Sequence, residues 1–238
     1  MKLQKEQKVS ASMLGSSERL SIIGTFQIIE NALTELTGKL KIDGITVKEK
    51  YNAFWVFVKT RVKFFKKILW NEDLLVSCFI SSKSLARIYF DIEAKNSLGE
   101  LIFYARIEAC ALDFTSQRIR KLSTVGVDEN TEVEKETMDI SFSKFDYESL
   151  PLIEQIKIRS TNIDMSHHTN NLEYLRFIIN TYSVAELETK TAKEMEVVYA
   201  SQSFENDVLD VLKGCYENKD IIVLQKQDKP IVKCEILF

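Results

Sequence analysis

Along residues 18–40 the apolar side chains Leu20, Ile23, Ile28, Leu33 and Leu36 recur at helical intervals, and Gly38 offers a C-terminal stop. The spacing predicts one amphipathic helix. From Tyr51 onward the period changes: residues 53–65 are rich in Phe, Val and Trp, 74–81 is a second such run, and 85–94 is joined to 100–114 through Asn96-Ser97-Leu98-Gly99. Runs of this length, punctuated by a glycine turn, predict an antiparallel meander of about four strands. Residues 123–139 break the pattern with Asp128, Glu129, Glu132, Glu134, Glu136 and Asp139 and few large apolar groups, as an exposed linker or long solvated loop would. The first pattern then returns. A strand is expected at 152–159 and a helix at 171–181 with Leu172, Leu175, Ile178, Ile179 and Tyr182 on one side, followed by strands at 195–201, 208–216, 221–226 and 231–237.

The two halves share an order of elements with little residue identity, so an internal duplication is expected. The chain divides into an N-terminal extension at 1–17, a first unit at 18–122, an acidic linker at 123–150 and a second unit at 151–238. The fold class is α+β, with two antiparallel meanders laid edge to edge as one continuous sheet wrapped around two helices. An apolar tunnel at their seam is where a ligand would sit.

Composition narrows the function classes. With 45% hydrophobic and 28% charged residues the chain reads as an ordinary soluble globular protein rather than a disordered one. A formal net charge of −3 gives nucleic acid no electrostatic partner in the chain as a whole. Cys78, Cys110, Cys215 and Cys234 lie far apart with no C-x-x-C spacing, as reduced cytoplasmic thiols do. The first 17 residues carry lysines but no apolar core of a signal peptide, and the apolar runs are too short to span a bilayer, so a cytoplasmic protein without membrane contact is expected. Neither G-x-G-x-x-G nor G-x-x-x-x-G-K occurs, and no Cys/His cluster has zinc spacing, so neither cofactor nor metal is expected.

The densest chemistry is Asp164-Met165-Ser166-His167-His168-Thr169-Asn170-Asn171, which holds both histidines of the chain. Imidazole exchanges protons near neutral pH, and a carboxylate, a hydroxyl and two amides lie within a few residues of it. Asp, Ser and Asn ahead of a helix also serve as N-caps, and the residues alone leave both readings open. Lys59, Arg61 and Lys63 alternate along one strand and, with Arg118 and Arg120, form a local cationic excess. That excess is either a solvated sheet edge or a dock for an acidic partner.

Asp164 to Tyr174 resembles the D-x-N-x-H-x-N-N-x-x-Y motif of the acyl-ACP thioesterases, a double hot-dog family of plants and bacteria. The resemblance extends to Trp70-Asn71-Glu72-Asp73, similar to that family's W-G-D-x-V. It also takes in Ser97-Leu98-Gly99-Glu100-Leu101-Ile102 with Ala105-Arg106, similar to T-G-E-x-x-A-x-A, and the close at Gln117-Arg118-Ile119-Arg120-Lys121-Leu122. It implies a hydrolase that frees fatty acid from a phosphopantetheine-linked acyl chain on acyl carrier protein. The catalytic aspartate falls on Asp164 and the histidine on His168. Ser166 stands at the motif's asparagine, and Gln202 stands where the family often has a glutamate. Asp164 is expected as the base or water-orienting carboxylate, Ser166 and Gln202 as water-positioning groups, and His168 as the group that holds the thioester or protonates the thiolate. Backbone N–H groups near Asn170 and Asn171 would polarise the carbonyl, and Asn170, Asn171 and Tyr174 are expected to bind substrate. His167 is expected to point away. The implied dock for carrier protein is Lys59, Arg61, Lys63, Arg118 and Arg120. Acyl-CoA hydrolysis and a non-catalytic acyl- or carrier-protein-binding hot-dog are the alternatives, and monomer and homodimer are both open.

Overall fold

Lys-Leu-Gln-Lys-Glu-Gln-Lys, in the stretch expected as an N-terminal extension, forms strand β1 (Lys2–Lys8). It pairs antiparallel with β3 (Asp73–Lys83), from Lys2 opposite Phe79 to Lys8 opposite Asp73. Leu3 is its one buried side chain, and the lysines suit a strand at a sheet edge. The computed structural model describes residues 1–143 and 149–238. Two units are present, Met1–Leu14 with Glu18–Ser141 and Gly15–Ser17 with Phe142–Phe238. Residues 144–148 of the expected linker lie outside the described residues.

In the first unit, helix α1 (Ile22–Leu40) starts at Ser21, whose hydroxyl accepts the Gly24 N–H at 2.9 Å. It runs past Gly38 to end at Lys41, which takes the left-handed conformation (φ 59°) and donates its N–H to the Gly38 and Thr37 carbonyls. Gly24 has a steric reason: a Cβ there would lie 2.2 Å from the Met13 carbonyl oxygen, which already accepts the Ser21 N–H and O–H at 3.0 and 2.8 Å. Gly24→Ala should therefore destabilise the first unit by about 1–3 kcal/mol, read by urea unfolding. A short helix not expected from the pattern, α2 (Gly44–Tyr51), is capped by the Asp43 carboxylate on the Ile45 and Thr46 amides.

Strands β2 (Ala53–Phe64), β3, β4 (Ile88–Asn96) and β5 (Leu101–Asp113) follow the expected meander, and the sheet order is β1-β3-β4-β5-β2, antiparallel throughout. Register sorts the two faces. Val76, Cys78 and Ile80, then Phe90, Ile92 and Ala94, then Phe103, Ala105 and Ile107 are matched across β3, β4 and β5 and form an apolar face. Phe26, Ile29, Leu33 and Leu36 of α1 are buried with them, and each large apolar side chain stabilises by about 1.5–3 kcal/mol.

The opposite face is polar but covered. Asp91, wholly buried, receives Ser81 Oγ at 2.8 Å, Tyr104 OH at 2.5 Å and both Arg106 Nε and Nη2 at 2.7 Å. The acidic stretch read as an exposed linker lies over this cluster: Arg106 also binds the Ile140 carbonyl at 2.8 Å and the Glu136 carboxylate, and Thr137 donates to Glu93 at 3.2 Å. Val125, Val127 and Ile140 are buried, which anchors the stretch despite its charge.

The second unit repeats the plan with β6 (Leu152–Lys157), α3 (Asn171–Ile179), the unexpected α4 (Val184–Thr189), β7 (Glu194–Tyr199), β8 (Val208–Tyr216), β9 (Lys219–Lys226) and β10 (Lys229–Leu237). Its antiparallel order, β6-β8-β9-β10-β7, again places the strands first, third, fourth, fifth, second. The duplicated element is thus strand, helix, meander, and β1 is the counterpart of β6. Tyr174, Leu175, Phe177 and Ile178 form the buried side of α3. No helix among the described residues is long and apolar enough to cross a membrane.

Candidate active site

After β6 the chain makes a short helical turn at Ser160–Asn162 and then a tight hairpin closed by an antiparallel bridge between Ile163 and Thr169. Asp164 donates its N–H to the His168 carbonyl at 2.9 Å, and His167 donates to the Asp164 carbonyl at 3.0 Å. The loop itself is Met165-Ser166-His167, with His167 left-handed at φ 64°. Three-residue hairpin loops commonly place such a residue last, and histidine tolerates that conformation better than most. The Asp164 carboxylate fixes the turn from inside, its Oδ1 accepting the Ser166 N–H at 2.8 Å. Met165 and His167 face solvent, while Asp164, Ser166 and His168 are half-buried.

These three side chains form a chain of hydrogen bonds. Ser166 Oγ lies 2.5 Å from Asp164 Oδ1 and 3.0 Å from His168 Nδ1. An ionised carboxylate only accepts, so the single hydroxyl proton goes to Asp164. Ser166 must then accept from His168, which places the imidazole proton on Nδ1 and leaves Nε2 as the basic nitrogen. Serine does here what an orienting carboxylate does when it contacts histidine directly, passing the charge of Asp164 one bond further. Burial lowers the His168 pKa from its usual value; the Asp164 charge opposes that shift and His167 adds to it.

Thr169 and Ser203 hold the hairpin against the loop that follows β7. Thr169 N–H donates to the Ser203 carbonyl at 2.9 Å, and its hydroxyl meets Ser203 Oγ at 2.8 Å. Tyr174, only 2% exposed, meets the same Oγ at 2.8 Å and accepts the Ser203 N–H at 3.0 Å. Tyr174 therefore sits inside the protein with its hydroxyl engaged. Gln202 is half-buried and adjoins this knot. Ser203 and Thr169 were not singled out from sequence; the signal available was Ser203's place directly after Gln202.

At the start of α3 the Asn170 side chain caps the helix by accepting the Leu172 N–H at 2.8 Å, as the capping reading expects. The Asn170 N–H is donated to the Asn162 carbonyl at 2.8 Å, and the Glu173 and Tyr174 amides turn to the Asn170 carbonyl. Of the two helix-start amides expected to polarise a carbonyl, that of Asn171 is the one with no acceptor among the described residues.

The expected docking cations lie in the first unit. Lys59, Arg61 and Lys63 stand opposite Glu108, Arg106 and Tyr104 on the polar face of the sheet and are half-buried, and Arg61 donates to the Ser141 carbonyl at 2.6 Å. Arg120 bonds Asp113 at 3.0 Å and the Tyr51 carbonyl at 3.2 Å. Arg118 alone of the five is exposed. Among the described residues no group of three or more His, Cys, Asp or Glu side chains is placed to hold a metal ion.

Residues 147–234 match the family model for the acyl-ACP thioesterase C-terminal domain. No curated protein sequence matches the chain. Among solved structures, an acyl-ACP thioesterase from Bacteroides thetaiotaomicron superposes with a TM-score of 0.85 at 16% identity, covering 100% of this chain and 97% of the other. A 12:0-ACP thioesterase from Umbellularia californica gives 0.84 at 15% identity, covering 99% and 96%. Likeness across both full lengths assigns the tandem hot-dog fold, duplicated as the sequence pattern implied. The Asp164-x-Ser166-x-His168 hairpin lies inside the segment that matches the acyl-ACP thioesterase C-terminal domain.

Proposed function

We propose that this protein hydrolyses the thioester of acyl-acyl carrier protein to free fatty acid, with His168 as the general base. The observation that carries the reading is the Asp164–Ser166–His168 chain, which places the imidazole proton on Nδ1 and makes Nε2 the basic nitrogen. Water attacks the thioester carbon as Nε2 removes its proton, and the imidazolium that forms is stabilised through Ser166 by the Asp164 charge. The oxyanion is met by the Asn171 N–H at the positive end of α3. The tetrahedral intermediate then expels the phosphopantetheine thiolate, which receives the proton back from His168.

This geometry favours His168 over Asp164 as the proton acceptor, because Asp164 Oδ1 is already occupied by the Ser166 N–H and O–H. Asp164, Ser166 and Gln202 remain in the site as positioning groups, with Gln202 orienting the water through its amide rather than accepting a proton. Asn170 contributes as the cap that fixes the direction of α3, and Tyr174 as the buried anchor of the loop bearing Gln202. The reaction needs no cofactor. Carrier protein is the acidic partner, and Arg118 with its exposed neighbour Lys121 is the part of the cationic surface open to it. A cytoplasmic setting, in fatty-acid biosynthesis, suits the four free thiols.

Two measurements test the reading. Preference for carrier protein predicts a higher kcat/KM for acyl-ACP than for acyl-CoA of the same chain length, and equal values would favour the acyl-CoA alternative. A neutral base with a lowered pKa predicts a pH–rate profile that is flat near pH 7 and falls on the acid side with an apparent pKa below ~6.5, since the base is lost only when His168 is protonated. Ser166→Ala removes the acceptor of the Nδ1 proton and should lower kcat by about 10- to 100-fold, the equivalent of one hydrogen bond to a charged group.

A further inference from the structure

Phe204 is 48% exposed, yet its ring is not idle: it packs on the His168 imidazole with centroids 5.2 Å apart and planes tilted by 60°. The backbone on both sides of it is pinned. Ser203, before it, is held by Thr169 and Tyr174. After it, the Phe204 N–H donates to Asp207 Oδ2 at 3.0 Å and the Asp207 N–H returns to the Phe204 carbonyl at 3.1 Å. Asp207 Oδ1 receives Lys226 Nζ at 2.7 Å, and the Asn206 N–H and Asp207 carbonyl pair with Ile158 at 3.0 and 2.8 Å. A turn built this firmly around a half-exposed aromatic presents the ring rather than hiding it.

We propose that Phe204 is a positioning residue for His168, its ring holding the imidazole in the orientation that Ser166 selects and screening one side of it from water. The proposal rests on the hydrolase reading for its kinetic consequence. Its physical content, contact and desolvation, stands apart from turnover. Tilted aromatic pairs favour a defined ring orientation. Screening also fits the direction in which burial moves the His168 pKa, which is downward. The titratable groups that act on the imidazole are Asp164 and His167 on its own hairpin; the Phe204 turn carries Glu205 and the Lys226-paired Asp207, and α3 carries Glu173, bound to Asn162 and Arg176. None of them is removed by changing Phe204.

The test is Phe204→Ala with Phe204→Tyr as the ring-retaining control, in the full chain. NMR titration of the two histidines reads the contact directly, with exposed His167 as an internal reference. In Phe204→Ala the His168 midpoint should rise toward ~6.5 while that of His167 stays in place. The acid limb of the pH–rate profile should move the same way, with kcat lower by about 2- to 10-fold below neutral pH and less affected above it. Phe204→Tyr should behave as wild type. An unmoved His168 midpoint in folded Phe204→Ala overturns the proposal, as does a Tyr variant that behaves like Ala. Should Ala fail to fold, Phe204→Leu takes its place with the same expected direction. A wild type that shows no turnover overturns the hydrolase reading alone, and the titration then decides on Phe204.

Discussion

His168→Gln is expected to lower kcat on acyl-ACP by about 10²–10⁴-fold, the usual cost of losing a general base, with little change in KM or in unfolding temperature. Glutamine can still reach Ser166 with an N–H donor, so the hairpin keeps its hydrogen bonds while losing the one nitrogen that can take a proton. Asp164→Asn should be milder. An asparagine carbonyl oxygen can still accept the Ser166 N–H and O–H that Asp164 accepts at 2.8 and 2.5 Å, and what disappears is the charge that stabilises the imidazolium. The order matters more than either value: a direct proton-accepting role for Asp164 predicts the reverse ranking. Steady-state kinetics on both variants, with circular dichroism to confirm folding, decides between the two.

The largest effect on stability is expected far from this chemistry. Arg106→Met leaves Asp91 wholly buried with its two guanidinium hydrogen bonds gone and only Ser81 and Tyr104 as donors. Removing one partner of a buried ion pair costs about 3–5 kcal/mol, because the remaining charge is left uncompensated. The same change also removes two of the hydrogen bonds that anchor the 127–143 stretch, those of Arg106 to Glu136 and to the Ile140 carbonyl. Urea unfolding should show the first unit losing this much, and Asp91→Leu combined with Arg106→Met should recover part of it by removing the stranded charge.

What could be read from the chain, and what could not, follows from where the physics is local. α1 and α3 were legible because their apolar residues repeat at helical spacing over several turns, and β2 to β5 because aromatic and β-branched residues cluster between turn signals. β1 escaped because only Leu3 of its seven residues is buried, so it carries no alternation to detect. α2 and α4 are short and owe their existence to caps at Asp43 and Ser183 rather than to an apolar stripe. The acidic stretch misled in an instructive way: its charges suggested exposure, but Glu136 is spent on Arg106, and Val127 and Ile140 are buried. Lys59, Arg61 and Lys63 alternate as read, and all three are half-buried.

Within the candidate site, the spacing Asp164-x-Ser166-x-His168 places three side chains that the hairpin joins by hydrogen bonds, since a three-residue loop brings such positions to one side. The two histidines differ in exposure, His167 facing solvent and His168 half-buried against Ser166. The direction of the proton chain was not legible. It depends on the rotamer that lets one serine oxygen reach both Asp164 Oδ1 and His168 Nδ1, which no local pattern encodes. The same limit hid Phe204, a single aromatic in a polar loop, 36 positions from the ring it touches.

The most direct test of the account is the release of free thiol from acyl-ACP by the purified protein, followed at pH 7 beside His168→Gln at the same concentration. Multiple turnovers by the wild type, with the variant slower by at least about 10²-fold, is the result expected. Acyl-ACP that binds and is recovered intact, or equal rates for the two proteins, would contradict it.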